Sequence, residues 1–482
     1  MDRKKVELLP YLNQEVVEDI TGFKLCSYLV ALEGWRRGLE LKWYKDESKE
    51  CKLDRLNSST QGKFFSLSTK EKTHYFYRSR GDKVSNKAVR LVQNKERTKE
   101  YLKDAGVPVP LGDEFTDDKK LLEYTEEIGY PVVIKPRNGS MGKGVYTNIQ
   151  SLEELKEALS ELRSTYKRAV LIERYHPGKE YRVYVVDDHV VGATNRIPAN
   201  IVGDGTHTVE ELIEKKNEER KKNPYLAKKP IKVDFEVKKM LENAGYGLNS
   251  VPKEGERIFL REKSNLSSGG DPIEATDELT TEVKQVAVDT LKALPSIPHA
   301  GVDIIVDPED ARKCVVLEVN ATAEIGFHLF PTEGKAKDVP AAIIDYYFPE
   351  TKDNYRSYAY FDYHSVVEPL KMWSTEEIKI YSILPEPYFS KKYLVSGKVV
   401  KVGYMTFIKR RALRQDLFGY AQRVGNDIEV TVIGNNIKEL NQFIDVVKKG
   451  SRRSKVEKVV PFEAEPIEKP FKLGFFILNE NY

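Results

Sequence analysis

The sequence predicts a mixed α/β chain built from several consecutive units, and three observations carry that prediction. Short apolar, β-branched runs such as Val132-Val133-Ile134 and Val315-Val316-Leu317 alternate with polar stretches at helical spacing. A length of 482 residues exceeds what one hydrophobic core organises, so three or four units are expected. A hydrophobic fraction of 40% beside 32% charged residues fits a soluble globular protein and excludes a disordered or membrane-embedded one.

Residues 1–90 read as a small α/β unit. Leu25, Tyr28, Leu29 and Leu32 recur at helical spacing with Gly38 as the stop, and residues 39–43 alternate like a strand. Lys95 opens a polar helix ending near Gly106, because Val107-Pro108-Val109-Pro110 cannot continue it. A second helix over 119–128 leads into a strand over 132–135. Ser151, with Glu154 three residues on, caps a further helix. The larger lobe then contains a strand at 181–186, a helix at 209–222 and two strands near 301–306 and 314–320. These give a second unit over 91–350, with a subdomain at about 130–170. Residues 351–386, rich in Tyr, Asp and Ser, are expected to connect. A third unit spans 387–468, and 469–482 read as a tail.

Two motifs carry chemistry. Asp303 stands on one strand-like run, and Glu318 and Asn320 on the next. Residues two apart on a strand project from one face, and a carboxylate-amide-carboxylate set suits a hard cation such as Mg²⁺ that also meets phosphates. Upstream, Lys135 ends an apolar strand before the loop Arg137-Asn138-Gly139-Ser140-Met141-Gly142-Lys143-Gly144. Its glycines let backbone N–H groups turn toward an anion. Cys26, Cys51 and Cys314 are too few and too scattered for a disulfide framework or a zinc site. No signal peptide or membrane span is evident, so a cytoplasmic location is expected, with no membrane partner. Residues 391–455 hold 15 Lys plus Arg against 5 Asp plus Glu, a face that attracts anions or is simply solvated.

Together these motifs resemble the ATP-grasp superfamily of carboxylate–amine ligases, from about residue 95 to 350. Asn195-Arg196-Ile197-Pro198-Ala199, the stretch from Val202-Gly203-Asp204-Gly205-Thr206-His207 to Ile213, and Asn265-Leu266-Ser267-Ser268-Gly269-Gly270 are similar to the ATP-grasp portion of cyanophycin synthetases and bifunctional glutathione synthetases. The resemblance implies a two-lobed ATP-grasp fold after a small preATP-grasp domain, and an amide or peptide bond formed through an acyl phosphate. It implies ATP and Mg²⁺, with Mn²⁺ as the alternative ion. Asp303, Glu318 and Asn320 are then the metal ligands. Lys95 and Lys135 contact phosphates, and Gly139, Ser140, Met141, Gly142, Lys143 and Gly144 cover them. Glu173, Arg174 and Tyr175 hold adenine, and Glu180 the ribose. Arg182, Arg196 and Arg261 are the candidate catalytic cations. His328 is more readily a structural histidine than a base.

The stretch Tyr393–Phe407 resembles the first strand and phosphate loop of acylphosphatases, which implies a ferredoxin-like βαββαβ sandwich. Met405 stands where that family has its phosphate-binding arginine and Arg423 where it has an asparagine, so hydrolysis is not expected. Ala321-Thr322-Ala323-Glu324-Ile325-Gly326 departs from the Pro-Gly that cyanophycin synthetases place after Glu-x-Asn. Carboxylate and amine substrates, small or peptidic, are the expected partners, and a homo-oligomer is compatible with the chain. An ATP-grasp kinase, or a nucleotide sensor recruiting an anionic partner through its basic last unit, is the alternative; nucleic acid is not the expected partner.

Overall fold

The structure, a computed structural model, describes residues 5–55, 59–136, 144–372 and 374–478. One helix buried on nearly every side organises the first unit. α1 (Gly22–Arg36) carries Leu25, Tyr28, Leu29, Leu32 and Trp35 inward, with Val30 and Ala31 buried as well. Against it lie β1 (Glu40–Tyr44), β2 (Phe64–Ser68), β3 (Thr73–Tyr77) and β4 (Arg80–Gly81), each antiparallel to the next. Phe65 stacks on Phe76 across β2 and β3 with ring centroids 5.2 Å apart, a cross-strand pair that holds the register.

α2 (Asn86–Gln93) and α3 (Lys95–Asp104) lead out of this unit, and the Asn94 side chain caps α3 by accepting from Arg97 N. A smaller lobe follows. β5 (Gly112–Phe115), α4 (Asp118–Ile128), β6 (Val132–Pro136), β7 (Tyr146–Ile149), α5 (Leu152–Thr165) and β8 (Val170–Arg174) build a sheet ordered β5-β8-β6-β7. Leu121, Leu155 and Leu162 from the helices meet Val132, Ile134, Val170 and Ile172 from the strands in a core of their own.

β9 (Lys179–Val186) and β10 (His189–Ile197) begin the larger lobe. An excursion of β11 (Asn200–Val202), α6 (Val209–Lys221), α7 (Phe235–Asn243) and β12 (Arg257–Phe259) closes on a small core around Ile201, Val237 and Ile258. The chain returns through β13 (Asp271–Glu274), α8 (Thr281–Lys292), β14 (His299–Val306) and β15 (Cys314–Asn320). These strands make an antiparallel sheet ordered β13-β10-β9-β14-β15. Val183, Val185, Val302 and Ile304 pack on one face with Val288 and Leu291 of α8. Because side chains alternate along a strand, Arg182, Arg196, Asp303 and Glu318 project from the other face.

α9 (Gly326–Leu329) and α10 (Val339–Tyr347) bring the chain back, and Tyr347 packs on Phe76 at 4.9 Å. Residues 351–386 are more than a connection: they complete the first core. β16 (Ala359–Tyr360) and α11 (Tyr363–Val367) place Phe361 and Tyr363 against Tyr28, at 5.3 and 5.6 Å. β17 (Glu377–Ile380) adds to the edge of β1. Two of the tyrosines that gave the segment its polar look, Tyr360 and Tyr363, are buried rings, and the Tyr363 hydroxyl donates to Gly62 O, whereas Tyr355 and Tyr381 stay exposed.

The last unit contains β18 (Phe389–Lys398), α12 (Tyr404–Leu413), β19 (Phe418–Val424), β20 (Asp427–Gly434), α13 (Ile437–Gln442), α14 (Ile444–Lys449) and β21 (Lys455–Pro461). Its sheet order, β21-β18-β20-β19, and a core of Val395, Ile408, Val430, Val432 and Val447 make the ferredoxin-like sandwich. β22 (Glu465–Pro466) pairs with β18. The described part of the expected tail is ordered: β23 (Phe471–Lys472) runs parallel to β16, and β24 (Phe475–Leu478) lies beside β19. Phe471 and Phe475 are buried, which is why these residues pack instead of trailing. No described helix is long and apolar enough to cross a membrane.

Candidate active site

The polar face of the larger sheet is set by register. Asp303 on β14 stands directly opposite Glu318 on β15 and opposite Arg182 on β9, while Asn320 stands opposite Gly301. Arg182 grips Asp303 through Nε to Oδ1 and through Nη2 to Oδ2 at 2.8 Å. Arg196 on β10 reaches the same Oδ2 at 3.3 Å and pairs with Glu180. Gly301 makes this possible, since a Cβ there would stand 2.9 Å from Arg182 Cδ. With its amide oriented by these neighbours, Asn320 donates to Glu318 Oε1 at 3.1 Å and accepts from Arg182 Nη2 at 3.3 Å. Burial pushes the Asp303 carboxyl up, but Arg182 and then Arg196 outweigh it and hold the group below the usual carboxylate range.

A second cluster faces this one from the smaller lobe, and α3 carries side chains to both. Lys95 Nζ lies 3.3 Å from Glu318 Oε2. One turn on, Lys99 pairs with Glu173 of β8, which also pairs with Lys135 of β6. Glu173 is 3% exposed. Burial raises its pKa, yet Lys135 and Lys99 together pull it down to about 2. Sequence reasoning missed Lys99, although its spacing of four from Lys95 places both on one side of the helix.

The remaining predicted residues divide. Gly139, Ser140, Met141, Gly142 and Lys143 lie outside the described residues, and Gly144 opens the turn into β7. The backbone N–H groups of Arg174 and Tyr175 are committed to Leu111 O at 2.7 Å and Pro131 O at 2.9 Å. Glu180 sits within the arginine cluster, where its Oε2 also accepts from Ser264 Oγ at 2.8 Å. Arg261 is not brought to Asp303. It clamps the start of α7 to the Asn265–Gly270 turn, through Asp234 at 2.5 Å, Glu236 and Ser268 O. His328 is buried, and desolvation lowers its pKa to about 3, so it is neutral and hydrogen-bonded to Thr194 Oγ1 at 3.0 Å. A cleft of about 260 Å³ lies behind β10 and β13, outside this face, with its Lys216 and Arg220 both paired to Asp271.

The donor set fits a hard divalent cation. All the atoms that Asp303, Glu318 and Asn320 offer are oxygens. Of the three, Glu318 is the accessible one, with its side chain 37% exposed, whereas Asp303 accepts three guanidinium N–H groups and keeps one lone pair on Oδ1. Among the described residues no group of three or more His, Cys, Asp and Glu could hold a metal, so an ion here needs the amide and oxygens from an anionic substrate.

Comparison with known proteins bears on both halves of the chain. The family model described as carbamoyl-phosphate synthase L chain, ATP binding domain matches residues 94–196, and the acylphosphatase model matches 391–475. The chain is 38% identical over 277 residues to a cyanophycin synthetase of Nostoc sp., covering 56% of this chain and 30% of that protein. It is 32% identical over 348 residues to the glutathione biosynthesis bifunctional protein of Listeria innocua, covering 70% of this chain and 44% of that one. A bifunctional glutathione synthetase structure from Pasteurella multocida matches at 30% identity with a TM-score of 0.49, over 60% of this chain and 41% of that chain. The chain thus covers less than half the length of each of these relatives.

Proposed function

Since the chain belongs to the ATP-grasp ligases, with an acylphosphatase-family domain behind, we propose that it joins a carboxylate to an amine using ATP. The acid and the amine are amino acids or peptides. The carrying observation is the single sheet face on which Asp303, Glu318, Asn320, Arg182 and Arg196 converge, with Lys95 reaching it from α3.

A carboxylate resists attack because it is already an anion. Transfer of the γ-phosphoryl group to one of its oxygens releases ADP and leaves an acyl phosphate. The amine then bonds to the carbonyl carbon, the C–O bond to phosphate breaks, and the amine proton passes to solvent. Phosphoryl transfer depends mainly on positioning and charge neutralisation. Lys95, Lys135 and Lys99 supply positive charge along the triphosphate, and Glu173 fixes the last two. Arg182 and Arg196, oriented by Asp303 and Glu180, address the transferred phosphoryl oxygens and the oxyanion of the tetrahedral intermediate. Glu318, Asn320 and Asp303 hold Mg²⁺, which when bound neutralises phosphate charge.

The test is to supply ATP, Mg²⁺ and pooled amino acids and small peptides, then follow ADP and products one water lighter than the paired reactants. Glu318→Gln should cut ADP formation by about 10² or more while circular dichroism stays unchanged. A phosphorylated product without an amide would make the protein a kinase instead, and ATP binding without any turnover would overturn the enzymatic reading.

A further inference from the structure

Glu324 lies four residues beyond Asn320, inside the stretch that departs from the relatives' Pro-Gly. Its Oε2 accepts from the Tyr225 hydroxyl and from Lys229 Nζ at 3.3 Å. The Lys229 ammonium also sits 3.4 Å from the centroid of the Tyr225 ring. Oε1 has no hydrogen-bond partner among the described residues. It faces the start of α1, where Gly22, at φ +58°, leaves the approach open: a Cβ there would lie 3.9 Å from Oε1.

The loop carrying Glu324 is pinned from the first unit. Ser79 Oγ donates to Ala323 O at 2.6 Å, and Cys26 Sγ accepts from Ile325 N at 3.4 Å. Ala323 Cβ and Arg182 Cδ share the space beside Gly301, each 2.9 Å from the Cβ that glycine lacks. Glu324 is therefore one residue from the arginine cluster, at the seam between the first unit and the larger lobe. Service as counter-ion to Lys229 accounts for Oε2 only. The carboxylate is 25% exposed, with Oε2 engaged by two donors and Oε1 accessible to a donor from outside the chain.

We propose that Glu324 Oε1 receives the ammonium group of the amine substrate, which is a free amino acid whose own carboxylate is met by the adjacent Lys229. Loss of one proton to solvent frees the nitrogen lone pair, and the amine then reaches the activated acid along the Gly22 seam, beside the arginines. The identity of this molecule as the second substrate rests on the ligase reading; the binding site itself does not.

The experiment is calorimetric titration of the full chain with glycine, L-alanine, L-glutamate, L-lysine and L-arginine, and with the N-acetyl form of each. Mg²⁺ and a non-hydrolysable ATP analogue are present throughout. At least one free amino acid should bind and its N-acetyl form should not. Glu324→Gln should weaken binding about tenfold or more. Tyr225→Phe, which removes only a donor to Oε2, should change it less than about threefold. No binding by any of the five, equal binding of N-acetyl forms, unchanged binding in Glu324→Gln, or an equal loss in Tyr225→Phe would each overturn the proposal. The comparison of free with N-acetyl forms needs no variant and stands even if Glu324→Gln folds poorly. Hydroxylamine trapping separates the two readings, since it intercepts an acyl phosphate without using this pocket. Hydroxamate formation with unchanged amine binding in Glu324→Gln sinks the pocket alone. Loss of amine binding in that variant, with no hydroxamate from the wild type, sinks the ligase reading alone.

Discussion

Glu173 shows how a single buried charge can serve both stability and function. Its carboxylate is enclosed with Lys99 and Lys135, so it holds both side chains in place where the proposed function has them meet phosphate. Its pKa falls from 4.5 in the unfolded chain to about 2 in the fold. A depressed carboxylate stabilises the fold above the unfolded value, and that contribution disappears as pH drops through the folded one. The contribution is about 3 kcal/mol and is lost between roughly pH 5 and pH 2. Urea unfolding of wild type and Glu173→Gln across that window checks it. The wild-type stability should fall toward that of the variant as pH drops, and a constant difference would refute the linkage. Near pH 7 the variant leaves two ammonium groups buried beside an amide, at a cost of about 3–5 kcal/mol. Glu173 is expected from the sequence to hold adenine, but its carboxylate is taken up by Lys135 and Lys99; the pairing with Lys99 was not legible, because a lysine on a polar helix gives no sign of what it faces.

At the scale of elements, the β14–β15 hairpin was the most readable part of the site. Alternation alone put Glu318 and Asn320 on one face, but which residue opposes them depends on pairing. The antiparallel register and the bulge after Asp303 decide that. The loop from β18 into α12 tells the opposite story. Its backbone keeps the glycine-assisted turn, with Gly403 at φ +75° capping α12. The side chains that would use it are gone. Met405 is buried in the core, and Arg423, exposed on β19, donates through Nε to Gly425 O at 2.7 Å. A thioether cannot hold a phosphate, and a guanidinium cannot orient water as an amide does. The full chain, without ADP present, should therefore hydrolyse benzoyl phosphate no faster than buffer, as read by the loss of its ultraviolet absorbance. Measurable catalysis would refute this.

Over the whole molecule, the first and last units are stitched together by segments that looked dispensable. β17 completes the first sheet, Phe361 and Tyr363 fill the core around Tyr28, and β23 runs beside β16. Truncation after Glu350 should remove at least roughly 6 kcal/mol of packing from those two rings, which rivals the entire stability of a domain. Insoluble expression or loss of a cooperative thermal transition is the expected result, whereas truncation after Pro385 should leave a folded ATP-binding protein. A sharp, wild-type-like transition in the shorter piece would show that the first unit does not need this segment. The net charge of the last unit is likewise less available than its composition suggests: Lys391 is buried and donates to Phe462 O, and Lys392 pairs with Glu429.

By itself the sequence determined the fold class, the order of the main elements and the residues that share the polar face, because local spacing decides which side chains share a strand or a helix. Only the tertiary structure decided which charges meet. Glu180 joins the arginines, Arg261 is drawn away into a clamp at the start of α7, Lys99 enters with Glu173, and Glu324 comes to the seam beside Gly22. Each of those encounters brings together residues distant along the chain, and the partner of a buried charge is set by the packing that excludes water around it, which no local pattern records.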